Sequence, residues 1–328
     1  MVIEESGQKP VNKKLILVRH GEAVHNSIEK KIKEAIAKEI QGLGIAYGSD
    51  THAKMVKERR ASLLADPNLL DPGLSEQGHD EAIEAREALN AMVSEGRLPA
   101  PEHVLVSPLL RTLQTGAAMF PQHPNVHVHE IIRERRTGLP CDERSPVNYP
   151  SQSLSLCHMH LTGIESDVET DVPSRSESYE ESDLSTDCSD LPDYMMVKKP
   201  SLSDLPVYPT PPDEIEDAQM LRRRTQQLTE LLERIPEETI CVVSHKGYLR
   251  ELERGPLQQP NAPEFGNCEV RVYDIRLNGN GGADSASLCY CLNSEQDTLP
   301  LPATPDPSPK ASEDNNGKLG EMVAVASC

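Results

Sequence analysis

The chain has 328 residues, with 33 basic against 53 acidic side chains and a formal charge of −20, which opposes general binding to nucleic acid or to an anionic membrane surface. Hydrophobic residues make up 37%, aromatics 3%, and Trp is absent, a composition too lean for the whole chain to pack. No apolar run approaches the roughly 18–20 residues that cross a bilayer, MVIEESGQKPVNKK lacks the apolar stretch of a secretory signal, and the eight Cys lack CxxC spacing, so the expectation is free thiols in the cytosol or nucleus.

Residues 1–12 read as a flexible N-terminus. KKLILVRH is a short apolar run ending in polar residues, the pattern of a buried strand in a parallel sheet. From Asn26, NSIEKKIKEAIAKEI spaces Ile28, Ile32, Ile36 and Ile40 four apart, which predicts an amphipathic helix stopping at QGLG. Ser75 suits the cap of a helix whose inner face is Ala82, Ile83, Leu89 and Val93. HVLVS is the next strand, with Ser107 and Pro108 suited to the cap and first position of the helix LLRTLQTGAAMF. VHVHEII is a third strand.

The acidity is concentrated further along. Leu161–Asp217 holds 16 acidic and 3 basic residues, rich in Ser and then in Pro at LPVYPTPPDE. Such a segment cannot bury enough surface to offset its ordering entropy, so 145–213 is expected to be a long disordered insert. After it, Leu221, Leu228, Leu231 and Leu232 line a helix, TICVVSH is a strand, KGYLRELE a helix, and CEVRVYDIRL a final strand at an edge. Residues 278–328 hold 7 acids and 2 Lys and read as a disordered tail. The folded part is thus one domain built from 13–144 and 214–277. A long insert is tolerable because loop-closure entropy grows only logarithmically with length.

Strands alternating with helices predict an α/β fold, a three-layer α/β/α arrangement with a mainly parallel sheet. Ligands in such folds bind beyond the carboxyl ends of the strands. Three of those ends carry reactive groups: Arg19-His20-Gly21-Glu22 after the first, Arg133-Glu134 after the third, and Ser244-His245-Lys246-Gly247 after the fourth. Arg111 falls in the first turn of the helix after the second strand, on the same rim. Any one of these side chains alone is more often structural than catalytic. Two His, two Arg and a Glu converging on one end of a sheet are much less readily a coincidence.

The elements LILVRHGEAVHN, DPGLSEQGHDEA, VLVSPLLRTLQT, the E-R-x-x-G of Glu134 to Gly138, and CVVSHKGYLREL together resemble the histidine phosphatase superfamily, the phosphoglycerate-mutase-like proteins, in that family's order. GLPCDER and GNCEVRVYDI look most like its phosphatase-like branch. The resemblance implies His20 as the nucleophile that becomes phosphorylated, with Arg19, Arg111 and His245 holding the phosphoryl oxygens and Asn26 near the phosphate. It assigns Glu134 as proton donor to the leaving group, with Glu130 a competitor whose spacing to Gly138 fits less well. It implies no metal and no other cofactor, and a phosphorylated small molecule or a phosphopeptide as substrate.

Ala23 stands where the mutases usually carry Ser, and no counterpart of their arginine-rich carboxylate-gripping segments is visible. Both favour hydrolysis over mutase-type phosphoryl transfer. The alternative from another class is a non-catalytic scaffold that keeps the phosphate pocket. Lys246 either faces solvent or adds positive potential at the mouth of the site. His127 with His129, and His158 with His160, lack further ligands at zinc-site spacing. SRSESYEESDLS in the insert is suited to an acid-directed kinase.

Overall fold

In a computed structural model of the protein, the described residues are 10–144, 160–161, 215–278 and 282–293. Seven strands form one sheet in the order β4-β3-β2-β5-β1-β6-β7. They are β1 (Val11–Arg19), β2 (His103–Val106), β3 (Val126–Val128), β4 (His160–Leu161), β5 (Thr239–Ser244), β6 (Val270–Leu277) and β7 (Ala283–Leu292). The pairs joining β4, β3, β2, β5 and β1 are parallel, and β6 and β7 add antiparallel to the β1 side. The helices are α1 (Val24–Gly42), α2 (Asp50–Leu64), α3 (Glu76–Ser94), α4 (Leu110–Met119), α5 (Ala218–Arg234) and α6 (Lys246–Arg254).

Alternation along the strands creates the layers. Leu15 and Leu17 of β1 pack with the leucines of α5 and with Tyr248, Leu249 and Leu252 of α6. Ile16 and Val18 face the other way, onto Ala82, Ala85, Leu89 and Met92 of α3 and Leu113 of α4. Successive side chains of a strand serve opposite faces, so a sheet covered on both sides must read as a continuous apolar run. LILV does so. The three-layer, mainly parallel α/β expectation is therefore what the chain adopts.

Several local expectations need correction. The final strand is not at the edge: β7 pairs along β6, so the segment 283–292 is ordered strand where a disordered tail from 278 was expected. His160 and Leu161, inside the expected insert, pair with β3 as β4. The rest of that insert and the residues after 293 lie outside the described residues, as do residues 1–9, His158 and the Ser-rich kinase candidate. The third strand is only three residues long, because Glu130–Ile132 turns into a 3-10 helix. On α3 the inner face is Ala82, Ala85, Leu89 and Met92, while Ile83 is exposed. Helix α2 was not foreseen, since it buries only Leu64 and so has no apolar stripe to read. Among the described residues no helix is long and apolar enough to cross a membrane.

The first helix turn of α3 lies directly on the loop after β1. Ser75 caps α3 by accepting from the Gly78 N–H at 3.1 Å, and Glu22 accepts from Ser75 through both its carbonyl and its carboxylate. The two backbones approach so closely that a Cβ at Gly78 would overlap the Glu22 carbonyl, and one at Gly21 would overlap that of Gly78. Overpacking of this kind costs about 3 kcal/mol when backbone must move. Gly78→Ala is accordingly expected to lower stability by about that amount in denaturant unfolding; an unchanged midpoint would show that the loop yields freely.

Candidate active site

The sheet order brings the carboxyl ends of β1, β5 and β2 side by side. Arg19 is in register with Ser244, and Val243 with Val106. The residues that follow each strand therefore emerge together, with the His20 N–H donating to the Ser244 carbonyl at 3.0 Å and the Ser107 N–H to that of Val243 at 3.0 Å. His20 and His245 are both buried, their ring centroids 5.2 Å apart.

Each imidazole is oriented. His20 Nδ1 lies 2.7 Å from the Gly21 carbonyl oxygen. A carbonyl only accepts, so Nδ1 carries the proton and Nε2 keeps its lone pair. His245 Nε2 is 2.6 Å from Ser107 Oγ, while its Nδ1 is buried with no hydrogen-bond partner. Burial, then the positive charge of Arg111, holds both imidazoles well below the ordinary value, with Arg19 adding to the push on His20 and His20 itself to that on His245. Both are neutral at physiological pH.

Ser107 thus orients a histidine, where sequence reasoning expected a helix cap. The cap of α4 comes from further away: its first residue, Leu110, donates its N–H to Asp71 Oδ1 at 2.8 Å. Asp71, in DPGLSEQG, holds φ at +44°. The loop before α3 therefore braces both the histidine loop and the arginine helix.

Arg111 is 1% exposed. Its Nη1 donates to the Cys141 carbonyl at 2.7 Å, and Nη2 lies 3.6 Å from Asp142 Oδ1. Arg19 donates from Nη1 to the Phe265 carbonyl at 2.8 Å. The Nε atoms of both guanidinium groups are buried without a partner. Leaving a buried donor unsatisfied costs about 1–3 kcal/mol, so this cluster of donors is a stored preference for an anion. Asn26 lines the cleft beside Arg19, its amide oxygen accepting from the Ala23 N–H at 3.2 Å.

Glu134 reaches the same rim. Its Oε1 accepts from the Arg135 N–H at 2.8 Å and its Oε2 from Gly247 N–H at 3.3 Å, two residues beyond His245. Glu130 does not compete, being tied to Arg133 at 3.3 Å in the 3-10 turn. The loop carrying Glu134 hangs on one buried side chain, Arg224 of α5. Its Nη1 donates to the Ile131 and Arg133 carbonyls at 3.0 and 2.6 Å, and its Nη2 to that of Glu134 at 3.3 Å. The remaining donors engage Glu216, which is 1% exposed, at 2.8 and 2.6 Å. Burial alone would lower Arg224, but the bonds to Glu216 hold it above the ordinary arginine value.

Three site residues escaped sequence reasoning. Thr115 accepts from the Gly21 N–H at 3.2 Å and fixes the turn after His20. His25 is buried and held down at about 3 by burial and by Arg111 and Arg19. Asp142 is pushed up to about 6 by burial and by Glu134, against the pull of Arg111. The GLPCDER string contained Asp142, but nothing in spacing alone marked it. His127 and His129 are engaged structurally, with Asn125 Oδ1 at 2.7 Å and the Ile131 N–H at 3.1 Å.

No known sequence family matches the chain. No curated protein matches it either. Similar solved structures include a mycobacterial glucosyl-3-phosphoglycerate phosphatase, 16% identical with a TM-score of 0.42 over 85% of this chain and 97% of that one. Others are a phosphoserine phosphatase from Entamoeba histolytica, 17% identical, TM-score 0.40, covering 87% and 99%, and a putative alpha-ribazole-5′-P phosphatase from Escherichia coli, 14% identical, TM-score 0.41, covering 84% and 94%.

Proposed function

We propose that the chain is a phosphomonoester hydrolase of the histidine phosphatase superfamily, acting through a phosphohistidine at His20 with Glu134 as acid and base. The observation that carries this reading is a neutral imidazole with its Nε2 lone pair free, set among buried donors of Arg19, Arg111 and His245 that the protein itself leaves unpartnered.

A phosphomonoester brings close to two negative charges, and guanidinium forks match its oxygens. With Ser107 donating to His245 Nε2, the Nδ1–H of His245 completes the set. His20 Nε2 attacks phosphorus, the P–O bond to the alcohol breaks, and Glu134 gives its proton to the departing oxygen. The same pre-placed donors stabilise charge on the equatorial oxygens in the transition state. Water then attacks the phosphohistidine, its proton passes to the Glu134 carboxylate, and the P–N bond breaks to restore His20 and release phosphate. Nothing in this sequence calls for a metal or another cofactor.

Glu134→Gln gives the test, using a labelled aryl phosphate whose leaving group needs no proton. Formation of the phosphoenzyme then survives while its hydrolysis lacks a base, so turnover falls about 10²–10⁴-fold. Label should accumulate on a His20 peptide, stable to alkali and lost in acid. Release of phosphate by the wild type with no label on any histidine, in either protein, would sink the mechanism.

A further inference from the structure

A cleft of about 870 Å³ opens from Arg19 and Asn26. Lys30 and Lys33 follow Asn26 at the i+4 and i+7 positions of α1, one face of the helix, and both line the cleft, as does Lys246 immediately after His245. Seven glutamates share these walls, but their charge is placed elsewhere. Glu29 pairs with Arg60 at 3.0 Å, Glu264 with Arg250 at 3.2 Å and Glu269 with Arg271 at 2.6 Å. Among the described residues no carboxylate comes within ion-pair distance of Lys30, Lys33 or Lys246. In a chain of net charge −20, three unpaired ammonium groups gathered on one cleft are a cost the protein does not relieve from within. Burial and Arg19 push the Lys246 ammonium down, against a pull from Glu264, and Lys33 adds to the push.

We infer that Lys30, Lys33 and Lys246 form a second anion subsite for the leaving alcohol, so that the preferred substrate is a small sugar or polyol carrying two phosphates. The inference rests on the phosphatase reading and extends it from the transferred phosphoryl group to the part that departs. The scale is suitable: seven residues of helix from Asn26 to Lys33 rise about 10 Å, roughly the span a phosphorylated sugar bridges. An ammonium is a flexible point charge, suited to gripping a phosphate without fixing its geometry. Such a contact strengthens substrate capture more than the chemical step, and salt weakens it.

The test compares glucose 1,6-bisphosphate with glucose 6-phosphate, in EDTA, for the wild type, Lys30→Gln, and a Lys33→Gln/Lys246→Gln double variant, with an aryl phosphate as a third substrate. The wild type is expected to favour the bisphosphate in kcat/KM by about a hundredfold, an advantage that shrinks with added salt. The double variant should cut that ratio at least about tenfold, mainly through KM, Lys30→Gln should lower it less, and Lys33→Arg should restore most of it. A wild-type ratio near one, or a ratio unmoved by the substitutions, would overturn the subsite while aryl phosphate hydrolysis left the phosphatase reading standing. Better turnover of a phosphopeptide than of the bisphosphate would also overturn it. Folded protein that hydrolyses none of the substrates overturns both readings together.

Discussion

His20→Ala is expected to eliminate phosphate release, with kcat/KM for an aryl phosphate falling at least about a thousandfold, while the protein stays folded. The size follows from the role: the substitution removes the attacking atom and leaves the arginines only an anion to hold. The free enzyme should also show an acid tolerance that an ordinary histidine nucleophile would not. Burial and the charges of Arg111 and Arg19 hold His20 well below its usual value, so kcat/KM should not drop as pH passes down through 6.5, once the substrate's own second ionisation near 6 is taken into account. A stability readout separates this from a structural role. A buried neutral histidine leaves the unfolded chain with more bound protons below pH 6.5, so stability rises with pH there. The wild type should therefore lose more stability between pH 7.5 and 5 than His20→Ala does. Equal activity of the two proteins would remove His20 from the chemistry. Equal acid sensitivity would contradict its burial as a neutral group.

What the sequence disclosed and what it concealed divide along a physical line. Strands buried on both faces must be continuously apolar, so β1 and β5 were visible, and the groups placed at their carboxyl ends stood out against that background. The catalytic candidates were legible for the same reason, because each lies within a few residues of a strand end or helix start that could be recognised. The parts that went unseen are those whose meaning is a long-range hydrogen bond. Ser107 before a helix looks like a cap, and only the register of β2 against β5 shows that it meets His245 instead. Strand β7 is mostly exposed and polar, so its composition matched a tail, and only backbone pairing to β6 reveals it. Glu216 sits at the border of an acidic, Ser- and Pro-rich stretch, where one more carboxylate carries no signal.

Removing the clasp that Glu216 makes with Arg224 should separate stability from catalysis. Arg224→Met leaves a carboxylate that is 1% exposed without its cation, and strips the donors from the carbonyls of Ile131, Arg133 and Glu134. Breaking a buried pair from one side costs about 3–5 kcal/mol, which for a domain of this size lowers Tm by about 10 °C. Adding Glu216→Leu removes the orphaned charge, and a buried ion pair replaced by apolar groups is often close to neutral. The double variant should thus regain much of the stability. Activity should not return with it. The three carbonyls still lack their donor, so Glu134 is no longer held against Gly247, and misplacing a catalytic acid by about 1 Å can cost on the order of a hundredfold. The expected pattern is a double variant with near-normal Tm, a kcat still down by about that factor, and a smaller change in KM. Recovery of kcat in step with Tm would mean that Arg224 only supports the fold; loss of kcat at restored Tm identifies it as the residue that positions Glu134.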